Sequence, residues 1–343
     1  MKSWFIYPIL ALFGTALLAA VLIFYPPKVV LPYLQRVFLP RAAERTEPVA
    51  VTIEKDTSAT FIFTGDIMMA RDVEGYIKAK GQEYPFANIG DTLLGADLVI
   101  GNFEGTIRDK EHIEGINEMS FDTTSGNVEI LRSAGFGLLS LANNHADDFG
   151  PSVTAYTRKT IEDAGIATFG DANDSKDFVT RKTINGRTFS FIGYHAFGET
   201  AESLIDAIKA EETAGNFIIM FPHWGVEYER DPSSSQVAAA HMFVDAGADA
   251  VIGAHPHVIE TTEIYKNAPI VYSLGNFLFD QSWSVPTMIG LTAKMTVTDA
   301  TVSITFTPIF IEKRQMAPAN EKIKESALEA LGLPSGSLLV NLP

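Results

Sequence analysis

The sequence predicts an α/β fold with two β layers wrapped by helices. Short apolar runs alternate with segments of helical spacing from residue 59 onward, as in βαβ units that build a parallel or mixed sheet. Asn185-Gly186 stands between two strand-like runs within 178–192 and predicts a hairpin. From 289 to 311 β-branched residues alternate again, which predicts a second, antiparallel part.

The first 27 residues are predicted to form a single transmembrane anchor. The chain carries no charge from Trp4 to Tyr25, and at about 1.5 Å per residue this run can cross a hydrocarbon core of about 30 Å. Aromatic residues lie at both ends, as they do at membrane interfaces. A cleaved signal peptide is the alternative, but the apolar run continues to Phe24, which favours an uncleaved anchor.

Residues 28–58 are predicted to tether this anchor to the folded part. Pro26-Pro27 ends the helix, and residues 41–58 are mostly polar. We expect a domain over 59–315, long enough to bury a substantial core, and a C-terminal helix and tail over 316–343. Helical spacing occurs at 87–95, 126–134, 151–164, 201–214, 235–246 and 321–331.

Composition narrows the possible functions. Lys and Arg number 26 against 42 Asp and Glu, which gives a formal net charge of −16. Such a body repels nucleic acid, and it repels other polyanions except where a metal ion or local Arg reverses the field. The chain has no Cys, which excludes disulfides, thiolate ligands and a Cys nucleophile and leaves the cellular compartment open.

Side chains that bind metals follow several apolar runs of the sequence. His255 and His257 come after one such run, and residues i and i+2 of an extended segment point the same way. Since strands of an α/β sheet deliver their carboxyl ends to one crevice, these groups are expected to converge. Imidazole and hard oxygen ligands suit Mn, Fe or Zn. The other strand-end candidates are Asp66, Asn102, Glu104, Asn143, Asn144, His145, Asp148, His223, Glu227 and Asn276.

Not every candidate side chain is expected to take part in the site. His195 and His241 have no sequence neighbours of ligand type, and we predict that both are structural. Arg71 and Arg230 lie near two of the motifs and could clamp a carboxylate or phosphate with two hydrogen bonds. Ordinary surface arginines are the alternative for both.

Six of these motifs, in order between Phe61 and Asp280, resemble capsule-synthesis proteins of the CapA type. That family includes the membrane-anchored PgsA component of poly-γ-glutamate synthesis. It is similar in turn to calcineurin-like metallophosphoesterases, so the resemblance implies a four-layer α/β/β/α sandwich with a dinuclear metal site. The motifs contain Gly65-Asp66, Asn102-Phe103-Glu104, Asn143-Asn144-His145, His223-Trp224-Gly225, His255-Pro256-His257 and Gly275-Asn276-Phe277.

The resemblance also implies roles for individual residues. His145, with Asp148 nearby, becomes the candidate catalytic acid that stabilises charge on the reacting group. Met68 stands where the phosphoesterase pattern has His, and Glu227 or Asn102 could supply the missing ligand. The implied metal ligands are Asp66 and His257 for one ion, Asn144, His223 and His255 for the other, and Glu104 as a bridge between them.

The resemblance implies an anchored, extracytoplasmic protein that makes or exports an anionic polymer, above all poly-γ-glutamate, beside polymer-synthase membrane subunits. The positive charges after the span favour a cytoplasmic body instead, so the sequence leaves the topology open. Two other functions are open. One is a metal-dependent hydrolase of phosphoesters or γ-glutamyl amides, and the other is a module that binds an anionic polymer without catalysis.

Overall fold

The apolar runs form two mixed β-sheets in the computed structural model, which describes residues 57–108 and 119–342. Most strands are short and buried on both faces, because each sheet is covered on both sides. The strands are β1 (Ala59–Ile67), β2 (Leu98–Phe103), β3 (Thr106–Arg108), β4 (Asp122–Thr124), β5 (Phe136–Ser140), β6 (Ala167–Phe169), β7 (Thr180–Ile184), β8 (Arg187–His195), β9 (Phe217–His223), β10 (Ala250–Ile252), β11 (Thr262–Tyr265), β12 (Ala268–Val271), β13 (Asn276–Leu278), β14 (Ile289–Val297), β15 (Thr301–Glu312), β16 (Gln315–Pro318) and β17 (Ser337–Asn341).

The helices come at most of the positions where helical spacing occurs. The segment 87–95 differs, because it holds a 3-10 turn over Gly90–Leu93 instead of an α-helix. The first helix and the last strand have no counterpart among the predicted elements. The α-helices are α1 (Arg71–Lys80), α2 (Val128–Ser133), α3 (Pro151–Asp163), α4 (Ile205–Thr213), α5 (Ser234–Asp245) and α6 (Glu321–Ala330).

Each of the two sheets contains four adjacent parallel strands. The first sheet has the order β16-β15-β14-β1-β2-β5-β6, with β13 also beside β1 and β17 beside β15. Its β1, β2, β5 and β6 run parallel, while β14 is antiparallel to β1. The second sheet has the order β11-β12-β10-β9-β8-β7, and β8, β9, β10 and β12 run parallel. β3 and β4 form a separate small pair.

The sheets pack face to face and helices cover their outer faces. Phe61 of β1 and Phe189 of β8 meet in the core between the sheets, with ring centroids 4.8 Å apart. Ile62 lies on the opposite face of β1, in a second cluster with Val73 of α1. A third cluster joins the outer face of the second sheet to α4 and α5. The predicted α/β fold with two β layers is therefore confirmed.

Several local predictions can be compared with the structure. β7 and β8 form the predicted hairpin, and Asn185 (φ 50°) and Gly186 (φ 90°) both have the positive φ of a type I′ turn. The second antiparallel part is β14 and β15, and it extends the first sheet because β14 pairs with β1. The predicted anchor lies outside the described residues. Within those residues no helix is long and apolar enough to cross a membrane.

A close backbone approach fixes the end of β1. A Cβ atom on Gly65 would lie 1.7 Å from the carbonyl oxygen of Gly275, so only Gly fits there. The next residue, Asp66, donates its backbone N–H to that carbonyl over 3.1 Å. The contact places Asp66 beside the loop that leads into β13.

Candidate metal centre

The carboxyl ends of β1 and β2 bring the first acidic side chains together. Asp66 and Asn102 are register partners on adjacent parallel strands, and both are buried. The Asn102 amide donates to Asp66 Oδ1 over 2.8 Å, which holds that carboxylate in place. Glu104 follows directly after β2 and is also buried. The first sheet thus supplies two carboxyl groups to one edge of the sandwich.

The second sheet supplies imidazoles to the same edge. His223 ends β9 and pairs in parallel register with Ala254, the residue before His255. The backbone N–H of His255 donates to Asp66 Oδ2 over 3.2 Å, so the histidine loop of one sheet is bonded to the carboxylate of the other. The predicted convergence of strand-end residues therefore occurs in the structure.

The geometry of the His-x-His segment differs from the prediction. β10 ends at Ile252, before the histidines, and they lie in a loop. His255 has φ 102° and His257 has φ 60°, in the left-handed region that residues other than Gly seldom occupy. The prediction that His255 and His257 lie on an extended segment is therefore wrong. Tight turns bring the two imidazoles to one place, with ring centroids 5.9 Å apart.

Asp66, Glu104 and His257 form the first candidate ligand group. Their ligand atoms lie within 4.8 Å of one another, and all three side chains are buried. His257 Nδ1 is 3.2 Å from Asp66 Oδ2, and His257 Nε2 is 3.7 Å from Glu104 Oε1. Glu227 joins His255 and His257 in an overlapping group with the same spacing. Glu227 could therefore add a carboxylate ligand to an ion bound by either histidine.

Asn144, His223 and His255 form the second candidate group. His223 Nε2 lies 2.7 Å from Asn144 Oδ1 and 2.9 Å from His255 Nδ1. Three atoms that can act as metal ligands therefore lie close together. A small cation with an open coordination shell needs such a convergence.

The electrostatics of both groups fit a divalent cation. Burial, with help from Asp66 and Glu227, raises the pKa of Glu104 well above its ordinary value. Its Oε1 has no hydrogen-bond partner among the described residues. Burial lowers the pKa of His255 to about 3 and that of His223 well below its ordinary value, so both imidazoles are uncharged at neutral pH. A cation would satisfy the unpaired carboxyl oxygen and offset the crowding of acidic groups.

His145 and Asp148 form a pair at the edge of the site. His145 Nδ1 is 3.0 Å from Asp148 Oδ2, and His145 Nε2 faces Glu104 Oε1 at 3.9 Å. The Asp148 carboxylate accepts a hydrogen bond from Nδ1–H, and Nε2 is therefore turned toward the acidic cluster. Phe121 stacks on the imidazole at 3.8 Å between centroids and donates its backbone N–H to Asp148 over 2.7 Å. Phe121 thus contacts both His145 and Asp148 and helps to fix their positions.

The two candidate arginines occupy different environments. Arg71 lies over the Phe121 ring at 4.5 Å, and its Nε donates to Asp280 Oδ2 over 3.0 Å. Arg71 therefore lies next to the stacked pair of Phe121 and His145, and its positive charge is partly neutralised by Asp280. Arg230 is exposed and lines a small cavity with Val258 and Pro286, and none of the six predicted metal ligands lines that cavity. The structure brings Arg71 to the site and leaves Arg230 at a separate surface.

Three residues near the site receive no ligand or catalytic role from the sequence. His195, which we predict to be structural, ends β8 as the register partner of His223. Phe121 follows no strand, so no pattern pointed to its place against His145. Asn276 was noted as a strand-end residue without a role, and its Oδ1 lies 3.0 Å from His257 Nδ1.

Met68 lies in the hydrophobic core. Its side chain is buried in the cluster beneath α1, and its sulfur accepts a hydrogen bond from the backbone N–H of Ala70 over 3.0 Å. This position therefore contributes to packing. Glu227, which the sequence offers as a substitute ligand, has its carboxylate within 4.8 Å of ligand atoms of His255 and His257.

Comparisons with known proteins agree with the motifs. Residues 60–281 match the family described as bacterial capsule synthesis protein PGA_cap. The chain is 31% identical over 287 residues to the capsule biosynthesis protein CapA of Bacillus anthracis, covering 75% of this chain and 69% of that protein. It is 29% identical over 300 residues to the PGA biosynthesis protein CapA of Bacillus subtilis (strain 168), covering 81% and 78%.

Among solved structures, TT1561 of Thermus thermophilus aligns with 71% of this chain and 99% of its own, at 13% identity and a TM-score of 0.41. The family match spans most of the described domain and includes every strand-end motif of the candidate metal centre. The resemblance found in the sequence is confirmed: this chain belongs to the PGA_cap family of bacterial capsule synthesis proteins.

Proposed function

We propose that this protein is a membrane-anchored, extracytoplasmic component of capsule or poly-γ-glutamate biosynthesis or export. We further propose that it has a four-layer, metallophosphoesterase-type fold with a dinuclear metal site. The convergence of buried carboxyl and imidazole donors from both sheets, in a chain of the capsule synthesis family, supports this function best. The polymer-synthase membrane subunits and the anionic polymer are its proposed partners.

Under this proposal each ligand group holds one divalent ion, either Mn, Fe or Zn. Asp66 and His257 would hold the first ion, Glu227 would add a further ligand to it, and Glu104 would serve as the carboxylate shared by both ions. Bound divalent ions neutralise an anionic group of the ligand and lower the pKa of bound water. The second ion takes Asn144, His223 and His255.

Charge explains why a polyanion would bind only at this place. The chain carries a net charge of −16, so most of its surface repels a polymer of carboxylates. The metal centre and Arg71 are the features that reverse this field locally. Arg71 shares its charge with Asp280, which leaves the ions as the main attraction for a carboxylate.

A second candidate function is hydrolysis at the same site, and the pair of His145 and Asp148 favours it. Asp148 holds the imidazole so that Nε2 faces the ligand groups, and an acid that protonates a leaving group needs that orientation. A pure binding module has no need of an oriented imidazole. The substrate would be a phosphoester or a γ-glutamyl amide of the polymer.

Metal content tests the proposal most directly. Full-length protein purified without chelator should contain one or two divalent ions per chain by mass spectrometry, and stripped protein should take up Mn²⁺ or Zn²⁺. The double variant His255→Ala/His257→Ala should lose most of this metal, while His241→Ala, which removes a surface imidazole paired with Glu263, should keep it. Binding no tighter than about millimolar would refute the metal site.

Topology and activity need separate experiments. Protease added to intact cells or spheroplasts should digest the body if it lies outside the cytoplasm, and full protection before lysis would reverse the topology. The metal-loaded protein should be assayed on phosphoesters and on γ-glutamyl amides. If it cleaves neither while it binds both metal and polymer, the non-catalytic binding role replaces the hydrolase.

A further inference from the structure

Two exposed aromatic side chains border the candidate metal centre. Tyr228 is 43% exposed, and its ring centroid lies 6.0 Å from that of His257. Trp283 is 63% exposed and packs edge-on against Tyr228, with ring centroids 5.6 Å apart. Such rings combine a large apolar face with a polar atom, which suits them to bind ligands at a surface. We name this pair, Tyr228 and Trp283, the aromatic platform.

The exposed apolar side chains are concentrated near the site. Within residues 57–108 and 119–342 nine large hydrophobic side chains are exposed, and five of them belong to three segments that border the ligand groups. Phe197 lies 4.7 Å from His255 between ring centroids, and Val226 directly precedes Glu227. Single exposed apolar residues are ordinary, whereas a cluster beside a polar site indicates a binding surface. The five are Phe197, Val226, Tyr228, Trp283 and Val285.

Backbone and side-chain contacts hold Tyr228 against the site. Its φ of 68° lies in the region that residues other than Gly seldom occupy, and such strain collects at functional sites. Its backbone N–H donates to the carbonyl oxygen of Pro256, which stands between the two histidines, over 2.8 Å. Its hydroxyl accepts a hydrogen bond from Gln281 Nε2 over 3.2 Å. The ring is therefore fixed beside the metal centre.

The segment that carries Trp283 is anchored as well. Asp280 accepts a hydrogen bond from Arg71 Nε over 3.0 Å. Ser282 Oγ accepts one from Arg314 Nη1 over 3.3 Å. Together with the bond from Gln281 to Tyr228, each of the three residues before Trp283 is tied to another part of the chain. A surface that is fixed before binding loses little entropy when a ligand occupies it.

The platform and the metal centre ask for different chemistry in one ligand. The metal centre attracts a carboxylate, whereas the net charge of −16 repels one elsewhere. Burial, with help from Glu227, raises the pKa of the Tyr228 hydroxyl, so the platform is uncharged at neutral pH. In poly-γ-glutamate, methylene groups and a planar amide separate successive carboxylates. A carboxylate at the ions therefore brings an apolar part of the same chain next to it.

We propose that Tyr228 and Trp283 form a subsite that binds the methylene and amide part of a γ-glutamyl chain, beside the carboxylate held by the ion of His257. The inference rests on the proposed function and names the part of the polymer that the chain recognises. A small carboxylate reaches the ions alone, whereas an oligomer covers the platform too. The platform thus favours polymer over free glutamate.

The test compares an oligomer with its monomer. Full-length protein loaded with Zn²⁺ is titrated by calorimetry with oligo-γ-glutamate and, separately, with free glutamate. Trp283→Ala removes the exposed ring, and Trp283→Phe keeps an aromatic face. Leu94→Ala is the matched control, because Leu94 is also 63% exposed and belongs to none of the three segments.

We expect Trp283→Ala to weaken oligomer binding about tenfold and to leave glutamate binding and metal content unchanged. Leu94→Ala should match the wild type, and Trp283→Phe should retain most of the affinity. The oligomer should also shift the tryptophan emission of the wild type to shorter wavelength, because it covers an exposed indole. Trp283→Phe should bind the oligomer without this shift.

Equal oligomer affinities in Trp283→Ala and Leu94→Ala, with binding by the wild type, would overturn the subsite and leave the proposed function standing. A loss of metal in Trp283→Ala would make the role of Trp283 structural and would also overturn it. Tighter, Trp283-dependent binding of polygalacturonate would replace the γ-glutamyl chain by a carboxylated polysaccharide. If the metal-loaded wild type bound no oligomer, polymer binding in the proposed function would fail, and the subsite with it.

Discussion

The side-chain oxygen of Asn276 lies 3.0 Å from His257 Nδ1, and the remaining bonds of Asn276 fix the direction of that contact. The Asn276 amide nitrogen donates to the Thr287 carbonyl oxygen and to Gln281 Oε1, both over 2.9 Å. Because the nitrogen is engaged there, the oxygen must face His257, and His257 must carry its proton on Nδ1. The lone pair of His257 Nε2 is thereby directed toward Glu104.

Asn276→Leu should weaken metal binding because it removes the acceptor that selects this tautomer. We expect a loss of about 10–100-fold in affinity, the usual effect of removing a hydrogen bond behind a metal-binding imidazole. Titration calorimetry measures the affinity, and ¹⁵N NMR shifts of His257 report the tautomer. Gln281→Leu is the milder control, since the bond to Thr287 still orients Asn276. Equal affinity and an unaltered tautomer in Asn276→Leu would contradict this role.

Gly65→Ala should destabilise the fold strongly, because its Cβ would meet the Gly275 carbonyl at 1.7 Å and force the strand ends apart. We expect a loss of several kcal/mol in the free energy of unfolding, measured in urea. Gly75→Ala is the matched control. Gly75 lies inside α1, and its added Cβ would have nothing within 4 Å, so helix propensity should stabilise that variant by about 0.5–1 kcal/mol. Similar stabilities for the two variants would refute the close-approach argument.

Glu260→Gln should change how stability depends on pH. Glu260 is fully buried, accepts one hydrogen bond from Gln236 and leaves Oε1 without a partner in the described part of the chain. Burial raises the pKa of Glu260 from 4.5 to about 8. The unfolded carboxyl releases its proton above 4.5, whereas the folded one keeps it until about 8, so this residue costs stability progressively between these values.

The neutral amide of Glu260→Gln avoids that cost. The variant should match the wild type near pH 4.5 and become increasingly more stable as the pH rises to 8, before the difference levels off. Urea unfolding at several pH values measures it. A difference that stays constant across this range would show that Glu260 is ionised in the folded protein.

His145→Ala should lower the rate about 10²-fold on any phosphoester or γ-glutamyl amide that the metal-loaded wild type hydrolyses. Metal content should stay near that of the wild type, because His145 lies outside both ligand groups. Asp148→Asn should lower the rate less, since it weakens the orientation of the imidazole without removing it. A parallel loss of metal in His145→Ala would make it a ligand instead of an acid.

Much of this molecule could be predicted from short-range pattern. Apolar runs, the Asn185-Gly186 turn and the polar residues after each strand follow from local sequence, so the two β layers and the convergence of polar side chains at the strand ends could be anticipated. The position of His195 beside His223 could not, because the two residues are adjacent only through sheet register. The loop geometry of His255 was also missed, since a positive φ at a non-glycine residue is imposed by the surrounding packing.

The candidate metal centre takes the carboxyl groups of Asp66 and Glu104 from one sheet and its imidazoles from the other. An ion shared by Asp66 or Glu104 and a histidine of the second sheet would act as a cross-link at one end of the sandwich. At a free ion concentration of about 100 times Kd, such binding adds about 2.7 kcal/mol to the unfolding free energy. The thermal resistance of the protein would then follow the supply of cations in its surroundings, and a chelator would loosen this end of the molecule before the rest.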